Sequence, residues 1–474
     1  MKKIFLLLFI STGLPGVLIA QKPISAIIKN EDRIQPWSEN PHYWQYKGKP
    51  VMLLGGSKTD HIFLAEGLFD HLNEMHGVGA NYVRNTMSQR EPRELKAHKL
   101  LPDGTFDMNQ WNEEYWTRFA NMLKWTAERD IFVQIEVWDR FDFSRDNWLI
   151  SPWNPGCNVN NSYEETGFDK DYPKHPGSDA QPFFHSIPGM AMYNEKLDLI
   201  RKYQEAFVSK MLSYSLPYGH VLYCMDNETS TPAQWGQYWI EFIKAKAAEK
   251  GVLVYTTDMF DDTYLGEKAK HTPIIFKDPG HYMFADISQV NSRLFGDDHW
   301  NGLLWLIKQV NNGKPRPCNH TKIYGGGYTT FGSGGLEDGV ERFWRNILGG
   351  SASSRFHRPT SGNGLNDRAK ATIKAARLLE SIIRFWDIEP HMELIRDRQP
   401  NEAYLSAKPG EKYALYFTYG GSVGLDLSNT SGTFTVKWIS DTEGVWGKEE
   451  KIEGGNVVTL TAPYKGGWIA AITR

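Results

Sequence analysis

Apolar and polar positions follow two rhythms along the chain, and the rhythm changes once. From about residue 50 to about residue 385, short apolar runs alternate with longer stretches whose apolar positions recur every three or four residues. The short runs predict strands at 51–54, 81–84, 132–135, 221–223, 252–255, 284–287, 322–324 and 354–356. The longer stretches predict helices at 64–76, 113–129, 197–212, 232–250, 299–310, 339–348 and 367–386. Thr231-Pro232 opens the fourth of these with a capping hydroxyl and a proline in the first turn. Alternation of this kind predicts an α/β fold, a (β/α)8 TIM barrel over 21–390, rather than a sandwich.

Beyond Asp387 the helical spacing stops. Short strands are expected at 415–418, 434–438, 457–460 and 468–472, separated by Gly420-Gly421, Gly454-Gly455 and Gly466-Gly467. This predicts a small C-terminal antiparallel β-sandwich domain over 391–474. Alternation along those strands predicts that Trp438 and Trp468 pack inward, with Trp446, after a turn, the better surface candidate. One connection is far longer than a structural link requires. Between Val137 and Glu195 lies an insertion rich in turn formers and aromatics, among them Phe141, Phe143, Trp148, Trp153, Phe183 and Phe184. Loops after barrel strands gather on the face that binds substrate, so the insertion is expected to wall a cleft.

The first twenty residues have a different logic. Lys2-Lys3, an apolar stretch to about Ala20 interrupted by Gly13, Pro15 and Gly16, and a polar exit describe a cleaved signal peptide over 1–20. The mature chain is therefore expected to be secreted or periplasmic, with no membrane association after cleavage. A net charge of −3 provides no basic field for nucleic acid. Three cysteines, Cys157, Cys224 and Cys318, are too few and too scattered for a disulfide scaffold or a zinc site, although one pair could form. No metal and no cofactor is expected. The 17 Trp and 22 Tyr, many among Asn, Asp, Gly and His, suit the flat C–H faces of sugars, which makes an oligosaccharide or polysaccharide the expected partner.

Candidate chemistry begins with Met225-Asp226-Asn227-Glu228 at the end of the fourth strand. Glycosidic cleavage needs one carboxyl that donates a proton and a second carboxylate that attacks the sugar or activates water. Glu228 is placed for the first role, and the Asn227 amide can donate to a sugar 2-hydroxyl. On the second strand, Gly79-Ala80-Asn81-Tyr82-Val83-Arg84 ends in an arginine. Together these two motifs resemble the clan of retaining glycoside hydrolases that includes family 5. The opening Gly48-Lys49-Pro50-Val51-Met52-Leu53-Leu54-Gly55 and the terminal β-domain look like a branch of gut-bacterial barrel hydrolases that includes apiosidase-like enzymes. The resemblance, over about 45–385, implies that Glu228 is the acid/base, Asn227 the 2-hydroxyl contact and Arg84 an orienter of the nucleophile.

The pattern breaks at the seventh strand, where the clan keeps its nucleophilic glutamate. Here Ile323-Tyr324-Gly325-Gly326-Gly327-Tyr328-Thr329 has no carboxylate. Glu337, at the start of the next helix, could reach back across the glycine-rich loop, or could simply favour the helix N-terminus. Asp258 after the fifth strand is the other catalytic candidate, and Asp286 lies near the sixth. Glu136, Trp138 and Asp139 at the third strand, Asp60 and His61 after the first, and His357 and Arg358 after the eighth are candidate substrate contacts. Arg355 and Arg358 raise an acidic sugar such as a uronate. The expected function is hydrolysis of O-glycosidic bonds in a plant or host glycan. A glycan-binding pseudo-enzyme lacking the strand-seven nucleophile is the alternative. A third reading, an esterase or lyase on the same scaffold, lacks a Gly-x-Ser-x-Gly elbow.

Overall fold

The computed structural model describes residues 27–89, 95–176, 181–261, 272–291, 293–325 and 332–474. The expected signal peptide and the Gly326–Thr329 part of the glycine-rich loop lie outside the described residues. The architecture is mixed α/β, with a parallel sheet preceding an antiparallel region. Eight parallel strands follow in order: β1 (Leu53–Gly56), β2 (Tyr82–Thr86), β3 (Phe132–Asp139), β4 (Val221–Asn227), β5 (Thr256–Thr257), β6 (Ala285–Asp286), β7 (Cys318–Asn319) and β8 (Ser353–Phe356). Six of them form one sheet in the order β5-β4-β3-β2-β1-β8, and β6 pairs with β7 separately. The pairing ladder is thus not continuous around the molecule. Scattered hydrogen bonds span the two gaps, among them those from the Met283 amide to Thr256 O (2.8 Å) and from the Ala352 amide to Cys318 O (2.9 Å).

The helices α1 (Leu68–Gly77), α2 (Glu113–Ala127), α3 (Leu197–Ser215), α4 (Ala233–Glu249), α5 (Thr272–Lys277), α6 (Gly296–Asn311), α7 (Leu336–Leu348) and α8 (Asp367–Glu380) alternate with these strands. Asn112 caps α2 and Asn366 caps α8, each accepting first-turn amides through its side chain. Two strands differ from the sequence reading. The fifth pairs at Thr256–Thr257 rather than within 252–255, and the seventh at Cys318–Asn319 rather than within 322–324. The apolar Ile323 drew the expectation too far along, because Ile323 is buried by a single bridge to Phe356 after the strand proper has ended. Lys322 and Tyr324 consequently belong to the loop beyond β7.

From Glu389 onward the chain is antiparallel. A six-stranded sheet includes Ala403–Lys408, Lys412–Phe417, Trp468–Thr473, Thr433–Ser440 and Val445–Glu453, and a three-stranded sheet holds Ile395–Arg396, Ser422–Asp426 and Val457–Thr461. Leu405, Leu415, Val423, Leu425, Val436 and Trp438 form a sandwich-like core of their own. Trp438 is fully buried, Trp468 partly, and Trp446 is 41% exposed, in line with their positions in the strand pattern. Against the parallel region, Trp344 of α7 stacks on Tyr416 with centroids 5.3 Å apart. The three cysteines are free, and no helix among the described residues is long and apolar enough to cross a membrane.

Candidate active site

β4 ends at Asn227, and Glu228 then adopts a left-handed backbone with φ of 57°. Asp226 and Glu228 would share a face of a regular strand; the left-handed turn instead sends Glu228 into a cavity of about 590 Å³. The ends of all eight strands contribute to that cavity, from Asp60 after β1 through Glu228, Lys322 and Tyr324 to His357 and Arg358 after β8. Of the seven non-glycine residues with left-handed backbone among those described, three line it: Arg145, Glu228 and Arg293. Such conformations cost on the order of 1 kcal/mol each and collect where function demands a fixed direction.

Glu228 Oε1 accepts two hydrogen bonds, from Lys322 Nζ (2.6 Å) and from the Tyr324 hydroxyl (2.8 Å). Burial alone would push this carboxyl up. The Lys322 ammonium, its hydrogen bond and that of Tyr324 outweigh the burial and hold Glu228 well below the usual carboxylate range. Lys322 also donates to Asn227 Oδ1 (2.5 Å), and Asn227 Nδ2 donates to Asp139 Oδ2 (3.1 Å). In this arrangement Lys322 and Tyr324 favour the ionised form of Glu228, whereas the sequence reading expects it to donate a proton.

Beside it stands a second ionic cluster. Arg84, fully buried, pairs with Asp60 (2.9 Å) and Glu136 (2.7 Å), and Thr86 adds a hydroxyl donor to Glu136 (2.7 Å). Arg358 reaches Asp60 from the opposite side at 2.9 Å, with His357 at 3.5 Å. Burial opposes the charge on Asp60, but Arg84, His357 and Arg358 hold its carboxyl well below the usual range. The strand-two arginine thus grips Asp60 after β1 and Glu136 of β3, and the loop beyond β7 presents Lys322 to Glu228. A third carboxylate, Asp261, lines the cavity after β5 and pairs with Arg140 at 2.6 Å.

Several expected site residues lie elsewhere. Glu337 is on the first turn of α7, largely exposed, and pairs with Arg368 (2.8 Å), which also holds Asp441 (2.8 Å); it joins the two regions of the chain and does not line the cavity. Asp258 is buried with its Oδ1 accepting the amides of Asp226 (3.0 Å) and Met259 (2.8 Å). Its other oxygen faces Gly236 of α4, where an added Cβ would come within 2.1 Å, so it points toward the helix layer. Trp138 packs among Trp153, Phe183, Phe207, Trp235 and Trp239 and offers no platform to a sugar. His61, Glu136 and Asp139 are buried just outside the lining, where Glu136 fixes Arg84 and Asp139 fixes Asn227. Arg355 is likewise internal, donating to Thr321 O (2.5 Å) and Ser57 Oγ. Asp60, Arg84, Asn227, Glu228, His357 and Arg358 do come together.

The long insertion divides its labour. Arg140, Phe141, Arg145, Asn147 and His175 form part of the cavity wall, while Phe143, Trp148, Trp153, Phe183 and Phe184 are buried behind them. Sequence reasoning missed Lys322, Tyr324, Asp261, Gln289 and Arg293. For Lys322 a signal existed: a basic residue close to the point where an acid was sought.

No protein-family model matches the chain, and no curated protein matches it. Solved structures do. A glycoside hydrolase family 5 protein from Bacteroides vulgatus superimposes with a TM-score of 0.61 at 13% identity, over 94% of each chain. A second structure, named glycoside hydrolase, gives 0.59 at 13% identity, over 94% of this chain and 97% of the other. At such identities the likeness is one of fold.

Proposed function

We propose that the chain is a glycoside hydrolase: a closed (β/α)8 barrel with a separate C-terminal β-sandwich from about residue 391, acting outside the cytoplasm once its signal peptide is removed. The observation that carries this reading is the setting of Glu228, an ionised carboxylate aimed by a left-handed turn into a polar cavity ringed by all eight strand ends. Hydrolysis of a glycoside needs such a group on one side of the scissile bond and a proton donor on the other.

Among the described residues, two other carboxylates line the cavity. Asp60 is 3% exposed and held by two arginines, which makes it an anchor for Arg84 and Arg358 rather than a proton carrier. Asp261 pairs with one arginine among the described residues and is 32% exposed, which makes it the more solvent-reachable of the two. In this mechanism Glu228 attacks the anomeric carbon or, if the product anomer is inverted, deprotonates the attacking water; Asp261, parted from Arg140 by the bound sugar and having taken a proton from solvent, passes that proton to the departing oxygen. Tyr324 and Lys322 keep Glu228 charged and pointed, and Asn227 remains beside it for a sugar hydroxyl.

The test is sugar release from a panel of plant and host oligosaccharides by the wild type and by Glu228→Gln. Loss of turnover by about 10³-fold or more is expected, because a neutral amide can neither attack nor accept a proton. With Glu228→Ala, azide should restore cleavage and give the anomer opposite to the wild-type product if Glu228 is the nucleophile. A wild-type protein that binds sugars in the cavity yet releases none would be a glycan-binding module instead.

A further inference from the structure

Left-handed backbone outside glycine occurs seven times among the described residues. Three cases border the cavity, but Asn401, at φ of 57°, lies in the C-terminal region, in the turn between Ile395–Arg396 and Ala403–Lys408. Asparagine tolerates this conformation when its side chain finds partners nearby. Here most of those partners belong to the parallel region. Asn401 Oδ1 accepts from Arg345 Nη1 (3.0 Å) and from the Tyr404 hydroxyl (2.7 Å), and its Nδ2 donates to Glu341 (2.9 Å). Glu341 and Arg345 also pair with each other, one turn apart on α7 (3.0 Å). A Cβ placed on Gly296, the first residue of α6, would stand 3.1 Å from the Asn401 Cβ. One side chain thus touches two helices of the parallel region.

Both helices lead back to the loop that serves Glu228. Gly325, the residue after Tyr324, backs onto Gly339 of α7 so closely that a Cβ on Gly325 would come within 2.7 Å of the Gly339 nitrogen. Farther along, Asp338 of α7 accepts the Gly334 amide (2.9 Å). Asp338 also holds Arg342 (2.8 Å), whose guanidinium lies over the ring of Phe295, just ahead of α6, at 5.1 Å. The contacts run without a gap from Asn401 to Glu341 and Arg345, along α7 to Gly339, across to Gly325, and through Tyr324 to its 2.8 Å bond with Glu228. Contiguity alone does not couple two sites. The steps here have little give, however: one is helical backbone, and the next is glycine against glycine, with no side chain to yield.

We infer that Asn401 is a positioning residue for the reaction: through it the C-terminal region holds α7 and the start of α6, and so fixes Tyr324 against Glu228. This rests on the reading of Glu228 as the catalytic carboxylate and extends the machinery to a residue outside the parallel region.

Three full-chain variants provide the test. Asn401→Gly keeps the left-handed backbone and removes the amide. Asn401→Asp keeps the acceptor for Arg345 and Tyr404 and loses the donor to Glu341. Val436→Ala trims the core of the C-terminal sheets, touches none of these contacts, and controls for lost stability. Each is studied at a temperature where it is fully folded. The first reading is hydrogen exchange at the Ile323, Gly325 and Gly334 amides, which donate to Arg355 O (3.0 Å), Ser361 O (3.3 Å) and Asp338. The second is kcat and KM for sugar release.

Exchange at these amides is expected to be at least about tenfold faster in Asn401→Gly than in Val436→Ala. A misplacement of about 1 Å can cost on the order of 10²-fold in rate, so a smaller shift of Tyr324 should lower kcat about tenfold, with KM changed less. Asn401→Asp should fall between Asn401→Gly and the wild type, and it carries the same comparison if Asn401→Gly does not fold. Val436→Ala should melt earlier yet keep its kcat. Equal protection in the Asn401 variants and Val436→Ala overturns the inference, and so does faster exchange with kcat unchanged. A wild type that releases no sugar ends the hydrolase reading, and the exchange comparison then decides unaided whether Asn401 holds the Tyr324 loop.

Discussion

Asp226 and Glu228 stand two residues apart on one strand end, and their carboxyl groups are pushed in opposite directions. Asp226 is fully buried beside Asp258, and burial followed by that neighbouring acid drives its carboxyl well above the usual range. Glu228 suffers burial too, but Lys322 and Tyr324 overcome it. Desolvation alone neutralises an acid; desolvation with a cation at 2.6 Å fixes its charge. Burial is common to both carboxyls, so burial by itself sets neither charge. What distinguishes them is the partner supplied by the neighbouring element: the loop after β7 gives Glu228 a lysine, whereas the loop after β5 gives Asp226 another acid.

The largest effects should come from the cavity side. Asp261→Asn is expected to lower cleavage of natural glycans by about 10³-fold while slowing aryl glycosides with good leaving groups by less than about tenfold, since these need little protonation. Equal losses on both substrates would remove Asp261 from the proton-donor role. Lys322→Met should cost about 10²-fold at neutral pH. Its diagnostic is the acid limb of the kcat/KM profile. A carboxyl held low by a cation keeps its charge as pH falls, so removing the ammonium must shift that limb to higher pH. An unmoved limb would mean that Lys322 does not set the charge of Glu228.

The contrast itself was not legible in the sequence, but parts of the frame that carries it were. The strand-four motif and Arg84 were legible because strand ends on a parallel sheet have a fixed outlook, and the count of strand–helix alternations follows from periodicity. The choice among Asp258, Asp286 and Glu337 was not, since a carboxylate at or just past a strand end can face the cavity or the helix layer. Only packing decides, as the missing Cβ at Gly236 does for Asp258. Trp138 misled for the same reason: beside Glu136 and Asp139 it was expected to contact substrate, and the neighbouring helix claimed it. In the C-terminal region the strand Val445–Glu453 went unread because it is an exposed edge strand rich in Lys and Glu, so burial imposes almost no apolar alternation on it.

A smaller and slower test concerns the structural pair. Because the folded Asp226 binds its proton more tightly than the unfolded chain does, its contribution to stability is fully present below the unfolded pKa and lost as pH rises toward the folded one. Asp226→Asn has the shape of the protonated acid and no proton to lose. Its melting temperature relative to the wild type should therefore climb from pH 5 to pH 8, by the equivalent of about 1 kcal/mol, with sugar release changed only a few-fold. A constant offset across that range would mean that Asp226 is already ionised in the folded protein.

Glu337→Gln should change least, and is informative for that reason. By position it was the best substitute for the absent strand-seven nucleophile, so a catalytic role predicts a loss comparable to that of Glu228→Gln. Its carboxylate instead faces Arg368, is 65% exposed, and shares that arginine with a fully buried Asp441. Arg368 keeps its contact to Asp441 in the variant, so the joint between the parallel region and the C-terminal sheets persists. Turnover within about twofold of wild type is expected, and exposed pairs of this kind contribute at most about 1 kcal/mol to stability. A collapse of activity would place the second catalytic carboxylate at Glu337 after all, and would require α7 to move toward the cavity when substrate binds.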